Sequence, residues 1–386
     1  MRIVLAGIIG RYPWGGVTWC SLMYLLGLRK LGHEVWYLED TCECNFDPEL
    51  NAISTDPGYA LRYIDTNLRP FGFGDRWCYV DYTGRHHGID EARMRDICNS
   101  ADLFLVLSGG CWVWRDHYRA IPRKAFIDSD PAFTQLAIEN ARVESDREGK
   151  KSWYVDFFEE YDTLFTFGAG IANGFSSVQS HLKWHHTWQP IDTSLWNPAA
   201  LPLPPRRRFT TIMTWAVESF EDIGGNKDHE FLKIIDLPSR LGPDRAAAIE
   251  LAVTRPPTLL RQKGWNCQDA LPISRDLWRY HAYIASSAAE FSVAKETYVH
   301  TRSGWFSDRS ECYLAAGRPV VLQDTGFSNV LPGGEGIVAW NTADEAIAAL
   351  DEVESRYALH ARRARELAMI YFRDTVVLQK LLDRVS

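Results

Sequence analysis

Short apolar runs closed by Gly, Asp or Pro alternate along this chain with longer stretches whose apolar residues recur at helical spacing. The first run, Arg2 to Ile8, is bounded by Gly7 and Gly10 and predicts a buried parallel strand. The turn-rich segment Tyr12-Pro13-Trp14-Gly15-Gly16 follows, then a helical pattern from Val17 to Leu31 that Gly32 stops. His33 to Leu38 reads as the next strand, which completes a β-loop-α-β unit of the kind that builds right-handed parallel sheets. The same alternation gives a helix at Asp90–Asn99 and strands at Ala101–Leu107, Arg123–Ile127, Asp162–Phe167 and His186–Gln189.

A proline-rich stretch interrupts the pattern: Pro198, Pro202, Pro204 and Pro205 fit neither helix nor sheet interior, so residues 191–208 read as a linker. A second β/α series then begins with strand Phe209–Thr214. It continues with helix Lys227–Ile235, strand Thr258–Leu260, helix Ser274–Ile284, strand Glu290–Val293, helix Asp308–Ala316 and strands Pro319–Leu322 and Gly336–Ala339. Helices at Thr342–Val353, Tyr357–Tyr371 and Thr375–Val385 close it. The expected architecture is α/β, with two Rossmann-like domains, 1–190 and 209–370, joined by that linker and followed by a C-terminal helix of 371–386.

Composition narrows the function classes. With 46% hydrophobic and 24% charged residues, the 386-residue chain belongs with folded proteins rather than disordered ones. No stretch approaches the roughly 20 uncharged apolar residues of a bilayer span, and the strand at the start leaves no room for a signal peptide; a soluble, cytoplasmic protein is expected. A net charge of −8 disfavours nucleic acid as a partner, because the single dense basic run, Arg206-Arg207-Arg208, follows the prolines and reads as linker. The eight cysteines are too few for a disulfide scaffold. They show no zinc spacing beyond the isolated Cys42-x-Cys44, and the adjacent pairs His86-His87 and His185-His186 would face opposite ways on a strand, so no metal is expected.

In open parallel sheets ligands bind beyond the carboxyl ends of the strands, which directs attention to three loops. Gly15-Gly16 precedes a helix, where backbone amides favour an anion; the dinucleotide fingerprint G-x-G-x-x-G is absent, which removes support for a nicotinamide enzyme. The segment Ser303-Gly304-Trp305-Phe306-Ser307-Asp308-Arg309 joins an aromatic pair to a Ser/Asp helix start, with Glu311 on the first turn. It suits a base, a phosphate and a ribose, and equally an ordinary capped helix. Asp324-Thr325-Gly326-Phe327, after an apolar strand, offers a carboxylate and a hydroxyl for sugar hydroxyls.

The run Ser310-Glu311-Cys312-Tyr313-Leu314-Ala315-Ala316-Gly317-Arg318-Pro319-Val320-Val321, followed by Asp324-Thr325-Gly326, resembles the donor-site signature of GT-B glycosyltransferases of the group 1 type, in which a glutamate lies six residues before Gly-x-Pro-Val. The resemblance implies that the two domains face each other across a cleft, that the helix of 371–386 packs back on the first, and that a sugar is transferred from a nucleoside-diphosphate sugar to a hydroxyl of an acceptor, either a small molecule or a glycan, without an essential metal or other cofactor. It implies that Glu311 holds the donor ribose, that Ser303–Arg309 meet the diphosphate and sugar, and that Asp324–Phe327 reach the sugar hydroxyls. Gly15, Gly16 and Thr214 complete the donor set, and Lys227, with Arg302 and Arg309 as competitors, neutralises the diphosphate. Ser303 stands where retaining members carry a second glutamate. For the base, Asp128 and Asp130 at a strand end lead, with Glu39, Asp40 and the histidines 86, 87 and 117 behind them. Trp14, Trp19, Trp112 and Trp114 offer ring surfaces near strand ends. The competing readings are an epimerase or phosphorylase on the same frame, transfer to a modified DNA base, and a binding protein without catalysis.

Overall fold

A computed structural model of the chain describes residues 1–200, 208–215 and 225–385. Its strands are β1 (Arg2–Ala6), β2 (Glu34–Glu39), β3 (Asn45–Asp47), β4 (Ala52–Ser54), β5 (Trp77–Val80), β6 (His86–Gly88), β7 (Leu103–Leu107), β8 (Lys124–Asp128), β9 (Thr163–Thr166) and β10 (Trp184–His186) in the first half. The second half holds β11 (Phe209–Thr214), β12 (Ile249–Thr254), β13 (Asn266–Asp269), β14 (Ala289–Ser292), β15 (Val320–Gln323) and β16 (Ile337–Trp340). The first sheet has the order β10-β9-β8-β7-β1-β2-β5-β6, parallel except for the β5–β6 pair; the second has the order β13-β12-β11-β14-β15-β16 and is parallel throughout. β3 and β4 form a small hairpin apart. The strands β1, β7 and β15 are almost wholly buried, as expected for apolar runs covered on both faces by helices.

Sequence order reverses between β1 and β7 in one sheet and between β11 and β14 in the other. At such a point the loops leaving neighbouring strands diverge to opposite faces and open a crevice. Both crevices face the seam between the two halves, which packs tightly. Helix Gly15–Lys30 of the first half lies against helix Leu277–Ala285 of the second. A Cβ on Gly15 would stand 2.8 Å from Tyr280 Cβ and 3.0 Å from the Asp276 carbonyl, so glycine here permits helix contact. On the opposite side of the seam the Gly170 N–H donates to the Ser303 carbonyl (2.8 Å), and a Cβ on Gly170 would lie 2.2 Å from the Arg302 carbonyl oxygen.

The C-terminal helix Asp374–Val385 lies on helix Gly15–Lys30. Lys30 Nζ holds it there through ion pairs of 2.7 Å to both Asp192 and Asp374. The chain also bridges Ile191 to Arg373 on its way across.

Several elements differ from expectation. The expected strand at Thr258–Leu260 is the start of helix Thr258–Gln262, while the strand is β12, at Ile249–Thr254. Pro256-Pro257 explains the shift: the pair ends the strand and presets the backbone of the following helix start. The expected helix Ser274–Ile284 is divided into Leu271–Ser274 and Leu277–Ala285, because the Asp276 carboxylate accepts the Arg279 N–H (2.7 Å) and caps a new helix. The helix from Tyr357 ends at Leu367 and passes into a π-helical turn, Ala368–Phe372. The last strand of the first half is displaced to Trp184–His186, and β3 to β6 and β13 carry patterns too short or too polar to read. Of the proline-rich stretch, residues 201–207 lie outside the described residues; Arg208 pairs with Glu250 at 2.9 Å.

Candidate active site

A cavity of about 320 Å³ opens in the seam at the carboxyl end of the second sheet. Thr214 ends β11 and Thr254 ends β12, Lys295 follows β14, and Asp308 and Arg309 begin helix Asp308–Ala315. Trp14, Gly16, Val17 and Asp130 close it from the first half. The first-turn amides of helix Asp308–Ala315 give this wall a positive bias.

Three cations converge there. Arg309 is buried and fixed: its Nε donates to Glu290 (2.7 Å), and its other nitrogens donate to the Ile212 carbonyl (2.8 Å) and Ser292 Oγ (2.9 Å). Lys295 pairs with Asp130 at 2.8 Å. Lys227 is buried, donates to the Val293 carbonyl and lies over the Trp305 ring at 5.9 Å. Among the described residues no carboxylate pairs with Lys227. Burial first, then the charges of Arg309 and Lys295, hold its ammonium well below the usual lysine pKa. A buried cation beside two others is poised to gain from an arriving anion.

The two sequence-chosen aspartates separate. Asp130 lines the cavity with a half-exposed side chain and joins the two halves, accepting from Lys295 Nζ and from Tyr298 OH (2.5 Å). Desolvation pushes its carboxyl up, but Lys295 and Tyr298 outweigh that and keep it below the usual range. Asp128 sits behind the strand end. It accepts from Thr134 (2.6 Å), Gln135 (2.9 Å), Thr166 (2.8 Å) and the Asp130 N–H (3.1 Å). Four donors on a buried carboxylate organise the loop that presents Asp130 and leave Asp128 no route to the cavity.

The donor set also divides. Gly16, Thr214, Lys227, Trp305, Ser307, Asp308 and Arg309 line the cavity. Trp305 stacks on Tyr298 with ring centres 4.5 Å apart, and burial raises the Asp308 carboxyl pKa despite Arg309 beside it. Gly15 serves the helix contact described above. Ser303, Gly304, Thr325 and Gly326 belong to the seam: the Gly304 N–H donates to the Thr325 carbonyl (2.8 Å), and a Cβ on Gly304 would stand 2.4 Å from the Gly170 nitrogen. Phe306 stacks on Phe372 and meets Phe327 edge-on, so both are core. Asp324 closes its own turn, accepting from the Gly326 N–H and Ser328 Oγ.

Glu311, expected at the ribose, does not line the cavity. It is 1% exposed, and burial, with Asp308 adding, outweighs the Gln189 backbone N–H beside it and raises its pKa well above the usual value. It lies one turn into the helix, on the side facing the first half. Sequence reasoning passed over Lys295 and Tyr298; the available signal was that Lys295 lies in the loop after β14, the kind of strand-end segment in which ligands gather.

The remaining polar candidates are structural. Glu39 accepts from the Gly10 N–H and Tyr37 OH, both 2.8 Å, and Asp40 accepts from Arg115 (2.6 Å) and Tyr118 OH (2.9 Å). Trp14 lines the cavity, whereas Trp19 is buried and donates to the Leu277 carbonyl across the seam. Among the described residues one group, Glu230, Glu296 and His300, brings three potential metal ligands within 4.8 Å. Both Glu230 oxygens there are already engaged, by Lys233 (2.5 Å) and Gln323 (2.6 Å).

Comparison with solved structures places this arrangement. An α-glucosyltransferase in complex with UDP and a 13-mer DNA containing an A:G mismatch superposes with a TM-score of 0.59 at 12% identity, over 100% of this chain and 99% of that one. A glycosyltransferase from Rickettsia africae ESF-5 gives 0.54 at 11% identity, over 100% and 97%. Sucrose-phosphate synthase from Thermosynechococcus elongatus gives 0.52 at 11%, over 100% and 98%. The chain has the GT-B fold. No family model matches it, and no curated sequence does. The likeness extends over both halves of the chain.

Proposed function

We propose that this protein is a glycosyltransferase that moves a sugar from a nucleoside-diphosphate sugar to a hydroxyl of a small-molecule acceptor. The observation that carries the reading is the convergence of Lys227, Lys295 and Arg309 on a cavity at a helix N-terminus, with Lys227 buried and lacking a carboxylate partner among the described residues. A leaving diphosphate accumulates negative charge in the transition state, and preorganised cations in a site shielded from water stabilise it without reorganising. In this reading the cations take the part a metal would play elsewhere. The neighbouring structures that hold UDP support the donor class.

In the step itself, the acceptor oxygen bonds to the anomeric carbon, the bond from that carbon to the diphosphate oxygen breaks, and the nucleoside diphosphate leaves. The acceptor proton passes to Asp130, which lines the cavity from the first half and is kept ionised by Lys295 and Tyr298. Trp14 and Val17 give the acceptor side an apolar, ring-bearing wall that suits a small acceptor.

The test is calorimetric titration with UDP, dTDP, GDP, ADP and CDP, without and then with Mg²⁺. Binding of one nucleoside diphosphate more tightly than the other four without Mg²⁺, with that tight binding weakened about 30-fold or more in Lys227→Met, is expected. Binding of none of the five overturns the reading, and binding that requires Mg²⁺ overturns the role given to the three cations.

A further inference from the structure

β10 is the last strand of the first sheet, and the C-terminal helix Asp374–Val385 passes beside it. Between them runs a groove of about 660 Å³, about twice the volume of the cleft cavity and sharing no lining residue with it. Its size is within the range of small-molecule sites.

Two features of the groove are unaccounted for by the fold. Lys380 and Arg384 stand one turn apart on the exposed face of the helix and line the groove, and among the described residues neither has an ion-pair partner. Like charges at this spacing oppose helix formation. Asp383, which also lines the groove, accepts from Gln379 (2.8 Å) and keeps its negative charge, so it offsets one of the two cations and leaves the rim net positive. Lys183 adds to the field: together with Arg384 it supplements burial in lowering the His185 pKa. In a chain of net charge −8, this is a local cationic rim assembled from two distant segments.

The second feature is the floor. His186 lines the groove with Nε2 shielded from solvent and without a hydrogen-bond partner, and its ring meets Trp188 at 4.1 Å between centres. Burial lowers its pKa to about 4, so at neutral pH it is an uncharged donor-acceptor. A shielded polar nitrogen without a partner carries a penalty, which a ligand's polar edge removes when the imidazole turns Nε2 towards the groove. We propose that this groove binds a nucleoside phosphate, with the phosphate between Lys380 and Arg384 and the base against the His186 and Trp188 rings. Inorganic phosphate would satisfy the rim alone and a neutral sugar the floor alone; a base presents both a face for stacking and an edge for hydrogen bonding. The proposal does not depend on the donor reading of the cleft.

The full chain is titrated calorimetrically at low salt with AMP and UMP, and with ribose 5-phosphate and inorganic phosphate as controls. One nucleoside monophosphate is expected to bind about tenfold or more tightly than ribose 5-phosphate. The Lys380→Glu/Arg384→Glu variant, altered only at exposed positions, should weaken it about tenfold or more. His186→Phe, which keeps the ring and removes the nitrogens, should weaken it several-fold, and Lys227→Met in the cleft should leave it unchanged. A short single-stranded oligonucleotide that binds more tightly than the monomer, with the same loss in the charge-reversed variant, identifies a strand as the source; no gain over the monomer identifies the free nucleotide. Absence of binding, equal binding by ribose 5-phosphate or phosphate, indifference to the groove substitutions, or loss in Lys227→Met overturns the proposal.

Discussion

Replacing Lys227 by Met keeps the length of the side chain and removes its charge. In the unliganded protein the charge is unfavourable: burial and the nearby Arg309 and Lys295 depress the Lys227 pKa, so the unfolded chain binds this proton more readily than the folded one. That penalty is fully present below the folded pKa and disappears as pH rises towards the ordinary lysine value. The Met variant should therefore be as stable as the wild type or more so at neutral pH, with the gap closing in alkali. With a diphosphate bound the sign reverses. At a separation of about 4 Å and an effective dielectric constant of about 20, one charge pair is worth about 4 kcal/mol; because Arg309 and Lys295 share the same anion, we expect a loss of about 2–4 kcal/mol. That corresponds to a nucleotide affinity about 30- to 1000-fold weaker. Because the anion raises the Lys227 pKa, binding takes up a proton at any pH between the unbound and bound values. Calorimetry in two buffers of different ionisation enthalpy measures the uptake, and thermal unfolding measures stability. A Met variant that is less stable without ligand and binds nucleotide as tightly as the wild type would refute the reasoning.

Asp130→Asn should lower turnover about 10²- to 10⁴-fold while donor affinity changes little, because it removes the proton acceptor and keeps a hydrogen-bonding group for Tyr298; steady-state kinetics beside equilibrium titration separates the two effects. Lys30→Met should cost about 1–3 kcal/mol, because the buried Asp192 and Asp374 carboxylates lose a shared cation that is itself partly screened by solvent, read as a shift in urea unfolding. Glu39, raised to about 7 by burial against its hydrogen bonds, contributes stability that is complete below its unfolded pKa and is lost as pH rises through about 7. The wild type should lose about 3 kcal/mol between pH 4 and 8 from this group, and a Glu39→Gln variant with an unchanged pH profile would show that Glu39 is not responsible.

The alternation of apolar runs and helical stretches was enough to establish two α/β halves, because a parallel sheet covered on both faces demands continuous apolar strands and that demand is local. β1, β7, β11 and β15 are legible for this reason. β12 was obscured because Pro256-Pro257 lies just beyond it and drew the expected strand onto a helix start. The candidate loops were legible at the level of segments, since ligands gather at strand ends, and five of their residues do line the cavity, Gly16, Trp305, Ser307, Asp308 and Arg309, as do Thr214 and Lys227, which the resemblance implied. Which side chains of a loop turn inward was not legible. Ser303 and Gly304 carry the same small, flexible chemistry as a phosphate loop, yet here the Ser303 carbonyl accepts from the Gly170 N–H and Gly304 lets the two backbones approach across the seam. Asp128 and Asp130 are two residues apart with the same functional group, and their difference arises from Thr134, Gln135 and Thr166 on one side and from Lys295 and Tyr298, over 160 residues away, on the other. Burial and charge at a site are sums over neighbours that the chain order does not contain. The sequence by itself determined the elements and the loops; the tertiary structure alone decided which charges meet, in the cleft and along the C-terminal helix, because electrostatic energy depends on distances through space rather than along the chain.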